Sequence, residues 1–137
     1  MFVTGCHRSG TSLLAAVIHD LRGIRAENRF EELEVKLENP MGFFESKRLM
    51  ELNESLLDSI GLKWNRLPLL SPKWDSSKNI TCFTELRSSF SFFALNNGWV
   101  DKDPRLCLTY PAYQHILLKR VPVAAVLRNP LDVATSL

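Results

Sequence analysis

Apolar residues recur along this chain in blocks whose spacing alternates between strand-like and helix-like. A short β-type run over 2–4 ends at Gly5, and a helix is predicted over 11–21. That helix is apolar nearly all round, so we expect it to be buried on most sides. The clearest amphipathic helix is predicted over 45–60, where the leucines and Ile60 follow helical spacing. The N-terminal half therefore predicts a strand followed by two helices.

The second half repeats this alternation. A second amphipathic helix is predicted over 81–96, a brief strand over 99–101 and a further helix over 111–119. The apolar run over 121–127 predicts a strand buried on both faces of a parallel sheet, and another helix begins at about 131. Strands that alternate with helices predict an α/β fold with a three-layer arrangement around a parallel sheet. We expect one domain over 1–137.

Composition narrows the classes of partner. The chain has 137 residues with 17 basic and 15 acidic side chains, a net charge of +2. This balance argues against nucleic acid as a partner, so any anion site must be local. Three cysteines without metal-ligand spacing favour a reducing compartment. We see no signal peptide and no apolar run long enough to cross a membrane, so we expect a cytoplasmic protein without a membrane partner.

The segment between the first strand and the first helix carries candidate chemistry. It has two glycines five residues apart and reads Gly5-Cys6-His7-Arg8-Ser9-Gly10-Thr11-Ser12. A glycine turn before a helix N-terminus can cradle a phosphate with backbone N–H groups, and the two last hydroxyls can donate to its oxygens. Thr11 occupies the place of the lysine in nucleoside triphosphatases, while Arg8 adds a positive charge inside the turn. We predict a P-loop-like, phosphate-binding turn that needs no metal; the alternative is a plain strand-to-helix connection.

This turn resembles the 5′-phosphosulfate-binding loop of sulfotransferases that use 3′-phosphoadenosine 5′-phosphosulfate (PAPS), a loop of the type P-[KR]-S-G-T-[ST]. Arg8, Ser9, Gly10 and Thr11 match it, and His7 stands where proline is common. The resemblance implies the sulfotransferase fold, PAPS as sulfuryl donor and a hydroxyl or amine acceptor on a small molecule or carbohydrate.

A second stretch, 128–136, resembles the 3′-phosphate-binding segment R-[ND]-P-x-D-x-x-x-S of the same family. By that match, Arg128 and Ser136 would contact the 3′-phosphate; taken alone, they would be a surface ion pair and an ordinary helix residue. The stretches 39–45 and 102–108 also resemble bacterial members. Family members usually carry a later loop that closes over the nucleotide, so we expect the fold to be incomplete, and its open sheet edge would favour homo-oligomers.

The resemblance leaves the catalytic roles open. Arg8 would stabilise charge on the leaving group, since an arginine does not donate its proton at ordinary pH. Glu45 matches the general placement of a glutamate base in carbohydrate sulfotransferases, and Asp103 is a second candidate. The alternatives are helix-end electrostatics for Glu45 and a turn-forming role for Asp103.

Three further side chains are candidates at the site. His7 would touch the sulfuryl group or else face solvent. Lys102 and Arg105 would steer an anionic substrate or else be a solvated pair of charges.

Two other functions compete with the sulfotransferase. A nucleotide kinase is weakened by Thr11 in place of lysine and by the lack of an obvious magnesium-binding aspartate at a strand end. The third is a non-catalytic remnant that binds a phosphoadenosine nucleotide or nothing.

Overall fold

The computed structural model describes residues 1–21, 44–66, 98–117 and 120–136, together with 74, 76, 79, 81, 83–84 and 87–90. The elements, in chain order, are strand β1 (Phe2–Gly5), helix α1 (Thr11–Leu21), helix α2 (Lys47–Ser59), a 3-10 turn (Arg87–Phe90), strand β2 (Asp101–Lys102), helix α3 (Leu106–Ile116), strand β3 (Val123–Val126) and helix α4 (Pro130–Ala134).

The three described strands form one parallel sheet in the order β2-β1-β3. Phe2 is in register with Asp101 on one side and Val123 on the other. Because parallel strands all end at the same edge, the segments that follow β1, β2 and β3 meet there, which is where α/β sheets bind ligands. The predicted α/β class with a parallel sheet is confirmed.

Helices lie on both faces of this sheet. Phe2 packs into a core cluster with buried side chains of α2 and α3, such as Leu49 and Tyr113. The next residue, Val3, points the other way and packs with Ala15 of α1 and with Val100. This alternation follows from the period of two along a strand.

Two expectations about burial are wrong. Helix α1 is not buried on most sides, because Leu13 is 71%, Val17 44% and Leu21 79% exposed. Strand β3 is not buried on both faces either: among the described strands its only neighbour is β1, and its residues are half-buried or exposed. An apolar run shows that a segment can be covered, but not which neighbour covers it.

Helix α3 begins five residues before the predicted start at Pro111. The Asp103 carboxylate accepts a hydrogen bond from the backbone N–H of Arg105 at 2.7 Å, and its carbonyl accepts one from that of Leu106 at 3.2 Å. This aspartate turn starts the helix. Pro111 lies inside the helix, where it has no N–H to donate to the carbonyl of Cys107.

Several predictions concern residues outside the described ranges. Most of the stretch 39–45 and most of the helix predicted over 81–96 lie there, although Phe83 is buried in the core against Trp74. In the part of the chain that the structure describes, no helix is long and apolar enough to cross a membrane.

Candidate functional site

The turn between β1 and α1 is closed by its own polar groups. The Ser9 backbone N–H and its hydroxyl both donate to the carbonyl of Cys6, at 3.2 and 2.6 Å. A Cβ on Gly5 would lie 2.7 Å from both the Ser9 Oγ and the Val126 carbonyl oxygen, closer than side chains tolerate. Gly5 is therefore required for two reasons. The Ser9 hydroxyl and the Val126 carbonyl of β3 approach it too closely for a Cβ, and its backbone conformation forms the turn.

Arg8 has a left-handed backbone, with φ of +64°, and Gly10 follows with φ of +97°. A non-glycine residue in this region is uncommon and strained. Left-handed residues in a turn direct successive N–H groups to one side, as in anion-binding nests. The strain at Arg8 carries no signal in the sequence, and it supports the interpretation of the turn as a binding loop.

The two segments that resemble anion sites meet in space. The Arg128 guanidinium donates to the backbone carbonyl of Arg8 at 2.8 Å, and Arg8 Nε donates to the carbonyl of Ser136 at 2.9 Å. Residues 120 or more positions apart thus form one basic surface at the carboxyl edge of the sheet. The Ser136 hydroxyl donates to the carbonyl of Val133 at 2.8 Å.

The three hydroxyl residues of the loop are placed differently. Ser9 and Thr11 are buried, while Ser12 is half-buried in the first turn of α1. The methyl group of Thr11 is one of the atoms that a Cβ on Gly5 would meet, so Thr11 packs against the turn.

A second group of charges lies beside the loop, where β2 ends. Glu45 and Lys102 form a buried ion pair, with side chains 9% and 3% exposed. The neighbouring residues are paired as well: Ser46 donates its backbone N–H to Asp101 Oδ1 at 3.3 Å and its hydroxyl to Asp101 Oδ2. Ser46 also caps α2 by accepting from Leu49 N–H at 3.1 Å. These contacts fasten the start of α2 to β2.

Arg105 connects this group to α2. Its Nη1 lies 3.3 Å from Asp103 Oδ1, its Nη2 lies 3.1 Å from Glu54 Oε1, and its guanidinium stacks over the Trp64 ring at 5.2 Å. We call Glu45, Glu54, Lys102, Asp103 and Arg105 the charged cluster. Within it, Lys102 pairs with one acidic side chain and Arg105 with two.

The alternative interpretation of Lys102 and Arg105 as a solvated pair is wrong, because the side chain of Lys102 is buried, that of Arg105 is only 9% exposed, and both are ion-paired. Asp103 does form the turn that starts α3, and its side chain is 1% exposed. It also follows β2 directly, so a strand-end aspartate does exist, which corrects one point made against a kinase. Its carboxylate is held by Arg105 rather than open to a metal.

His7 belongs to the loop and lies close enough to the charged cluster for Glu45, Lys102, Asp103 and Arg105 to act on its charge. Its ring centroid is 5.7 Å from that of Trp64, and it keeps an exposed face. Desolvation by the surrounding protein lowers the pKa of His7; Glu45 opposes the shift, while Arg105 and Lys102 add to it. The imidazole is therefore mainly neutral at pH 7 and can accept a proton.

Burial dominates the titration of two carboxylates at this edge. Loss of solvent raises the pKa of Asp101 to about 7, against hydrogen bonds from Ser46 and the Lys102 backbone that lower it. The pKa of Asp103 is raised as well, because burial outweighs the attraction of Arg105.

Asp101→Asn is expected to remove a pH dependence of stability. A carboxyl group whose pKa is 3.8 when unfolded and about 7 when folded stabilises the fold below pH 4. That contribution is lost as the pH rises towards 7, by about 1.4 kcal/mol for each pH unit. Urea unfolding of both proteins from pH 4 to 8 should show the free energy of unfolding of the variant rising relative to that of the wild type as the pH increases. Equal differences at pH 4 and pH 8 would contradict the assignment.

Comparison of the chain with protein-family models, curated protein sequences and solved structures finds no match. Over the described ranges, no group of three or more histidine, cysteine or acidic side chains could hold a metal ion. Cys6 and Cys107 are free thiols.

Proposed function

We propose that this chain is a PAPS-dependent sulfotransferase domain with the P-loop-like fold of that family. The observation that carries the proposal is the pair of hydrogen bonds linking Arg8 to Ser136 and Arg128 to Arg8. They join the loop that resembles a 5′-phosphosulfate site to the segment that resembles a 3′-phosphate site. A nucleotide with phosphates at both its 5′ and 3′ positions needs two such anion sites at a fixed separation.

The residues fit this donor. The position of a Cβ on Gly10 has no atom within 4 Å, so the loop is open in front of α1. The N-terminal N–H groups of that helix and its partial positive charge favour an anion there. Arg8 and Arg128 are exposed and supply the charge that the lysine would supply in a nucleoside triphosphatase. The donor would thus be held without a metal.

The chemical step would be an in-line displacement. PAPS supplies an activated sulfuryl group, whose bond to the nucleotide phosphate breaks as the acceptor oxygen or nitrogen bonds to sulfur. Arg8 and the loop N–H groups would stabilise the charge that develops on the leaving phosphate. The acceptor must also lose a proton to a protein group or to water.

His7 suits the role of proton acceptor better than the two carboxylates. Glu45 is buried against Lys102, and Asp103 is buried against Arg105, so both carboxylates already have partners. His7 is partly open, belongs to the loop itself and has a lowered pKa. In this proposal members of the charged cluster have a structural role and do not react. They hold the segments next to the loop in place: Glu45, Lys102, Asp103 and Arg105.

Sulfuryl transfer in the absence of magnesium tests the proposal. The chain would be incubated with PAPS and EDTA together with a phenol, a primary amine and a methyl hexoside, and formation of the 3′,5′-bisphosphate (PAP) would be followed. We expect acceptor-dependent release of PAP that EDTA does not reduce. A kinase would instead transfer phosphate from ATP only with magnesium, and a remnant would bind PAP without any turnover. Either of these results would reject the enzyme proposed here.

A further inference from the structure

A small cavity opens beside the site, between the C-terminal half of α2 and the turn that follows it. It has a volume of about 140 Å³ and is lined by Glu54, Leu57, Asp58, Lys63 and Trp64. Leu57 is buried and forms an apolar base, while Trp64 is 46% exposed and offers part of its ring. The cavity combines one aromatic wall with several polar groups, as small-molecule sites do.

Trp64 joins this cavity to the loop. Its ring lies 5.7 Å from the His7 ring and is stacked under the Arg105 guanidinium at 5.2 Å. A molecule in contact with Trp64 is therefore one side chain away from His7.

The charges around the cavity are already paired. Asp58 and Lys63 lie 2.6 Å apart, and Glu54 lies 3.1 Å from Arg105. A cationic guest would have to compete with Lys63 or Arg105 for its carboxylate, and an anionic guest would meet two carboxylates. Hydroxyl groups, in contrast, can donate to the carboxylates and accept from Lys63 without breaking either pair.

We propose that this cavity is the acceptor site and that it takes a neutral, polyhydroxylated ring such as a single sugar unit. The apolar C–H face of the ring would pack on Trp64, and its hydroxyls would bind Glu54, Asp58 and Lys63. The volume is below the roughly 300 Å³ at which drug-sized sites begin, so one ring fits better than an oligosaccharide. This proposal rests on the proposed function, because it places the acceptor next to His7.

The test uses three sugars that differ mainly in charge: methyl glucoside, glucosamine and glucuronate, with methyl galactoside and methyl mannoside to cover other stereochemistry. Each is titrated into the full chain up to about 50 mM, where contacts worth a few kcal/mol still register. Binding is followed by saturation-transfer NMR, with and without saturating PAP. We expect a neutral hexoside to bind and both charged sugars to bind at least about fivefold more weakly. The reason is that the charged side chains lining the cavity are already paired with one another or with Arg105.

Variants separate this site from the nucleotide site. Trp64→Ala should weaken hexoside binding by at least about tenfold while leaving PAP affinity unchanged. Trp64→Phe should retain most of the hexoside affinity, because it keeps an aromatic ring. Lys63→Met leaves Asp58 without its partner and should shift the preference towards glucosamine, an effect that a loss of folding would not produce.

The outcomes divide cleanly. No binding by any neutral hexoside, unchanged hexoside binding in Trp64→Ala, or an unshifted preference in Lys63→Met would overturn the acceptor site even if PAP binds. Failure of PAP to bind while hexosides do would overturn the proposed function and leave the cavity as a sugar site.

Discussion

Replacing Arg8 or Arg128 with alanine is expected to weaken PAP binding by about 10- to 150-fold in each variant. Each change removes a charge-assisted hydrogen bond to phosphate worth about 1.5–3 kcal/mol. The two variants should differ in kind. Arg8→Ala should weaken PAP and 5′-AMP alike, whereas Arg128→Ala should mainly reduce the preference for PAP over 5′-AMP, because Arg128 is assigned to the 3′-phosphate.

Arg120→Ala is the matched control. Arg120 is an exposed arginine three residues before β3, at the amino edge of the sheet, so its loss changes the net charge equally without touching the loop. Calorimetric affinities in all three variants give the comparison, with circular dichroism to verify folding. Equal weakening of PAP binding in Arg120→Ala would mean that the effect comes from the net charge alone. Unchanged PAP affinity in both Arg8→Ala and Arg128→Ala would refute the two-site assignment.

Lys102→Met is expected to destabilise the fold by about 3–5 kcal/mol, because it leaves the Glu45 carboxylate buried without its counter-ion. Methionine fills a similar volume, so the loss reflects charge more than packing. Chemical unfolding at pH 7 gives the free energy directly.

The same substitution at the surface provides the control. Lys63 pairs with Asp58 at 2.6 Å, but these side chains are 63% and 54% exposed, and such a pair contributes about 0–1 kcal/mol. Lys63→Met should therefore cost far less than Lys102→Met. The double variant Lys102→Met/Glu45→Leu should recover most of the loss. A Lys102→Met protein as stable as Lys63→Met would contradict the buried pair.

The spacing of apolar residues predicted the helices of this fold well where glycines marked their ends. Helix α1 has the predicted bounds, and α2 is shorter by two residues at its start and one at its end. Gly5 and Gly61 mark turns that depend on backbone freedom, which a sequence displays directly. The start of α3 was missed because it depends on the hydrogen bond from Arg105 to Asp103, which outweighs the preference of Pro111 for a first helical turn.

The site was predictable in its parts but not in its connections. Arg8, Arg128 and Ser136 were identified from their segments, yet the hydrogen bonds that join them depend on the sheet order β2-β1-β3. Glu45 and Lys102 were each named for separate roles, and they become partners because Ser46, at the start of α2, is hydrogen-bonded to Asp101 of β2. Trp64 carried no signal beyond being aromatic, because its neighbours His7 and Arg105 are distant in sequence. The role of Glu45 or Asp103 as the proton acceptor stays a prediction from the sequence, as does association into homo-oligomers.

Calorimetric titration with PAP in EDTA, alongside 5′-AMP and magnesium-ATP, tests the central claim most directly. If Arg8 and Arg128 hold one bisphosphate nucleotide, PAP should bind without metal and at least about tenfold more tightly than 5′-AMP, since one phosphate contact separates them. Binding of ATP alone, and only with magnesium, would contradict the account and indicate a kinase. Binding of none of the three by a folded chain would show that the two arginines form no nucleotide site.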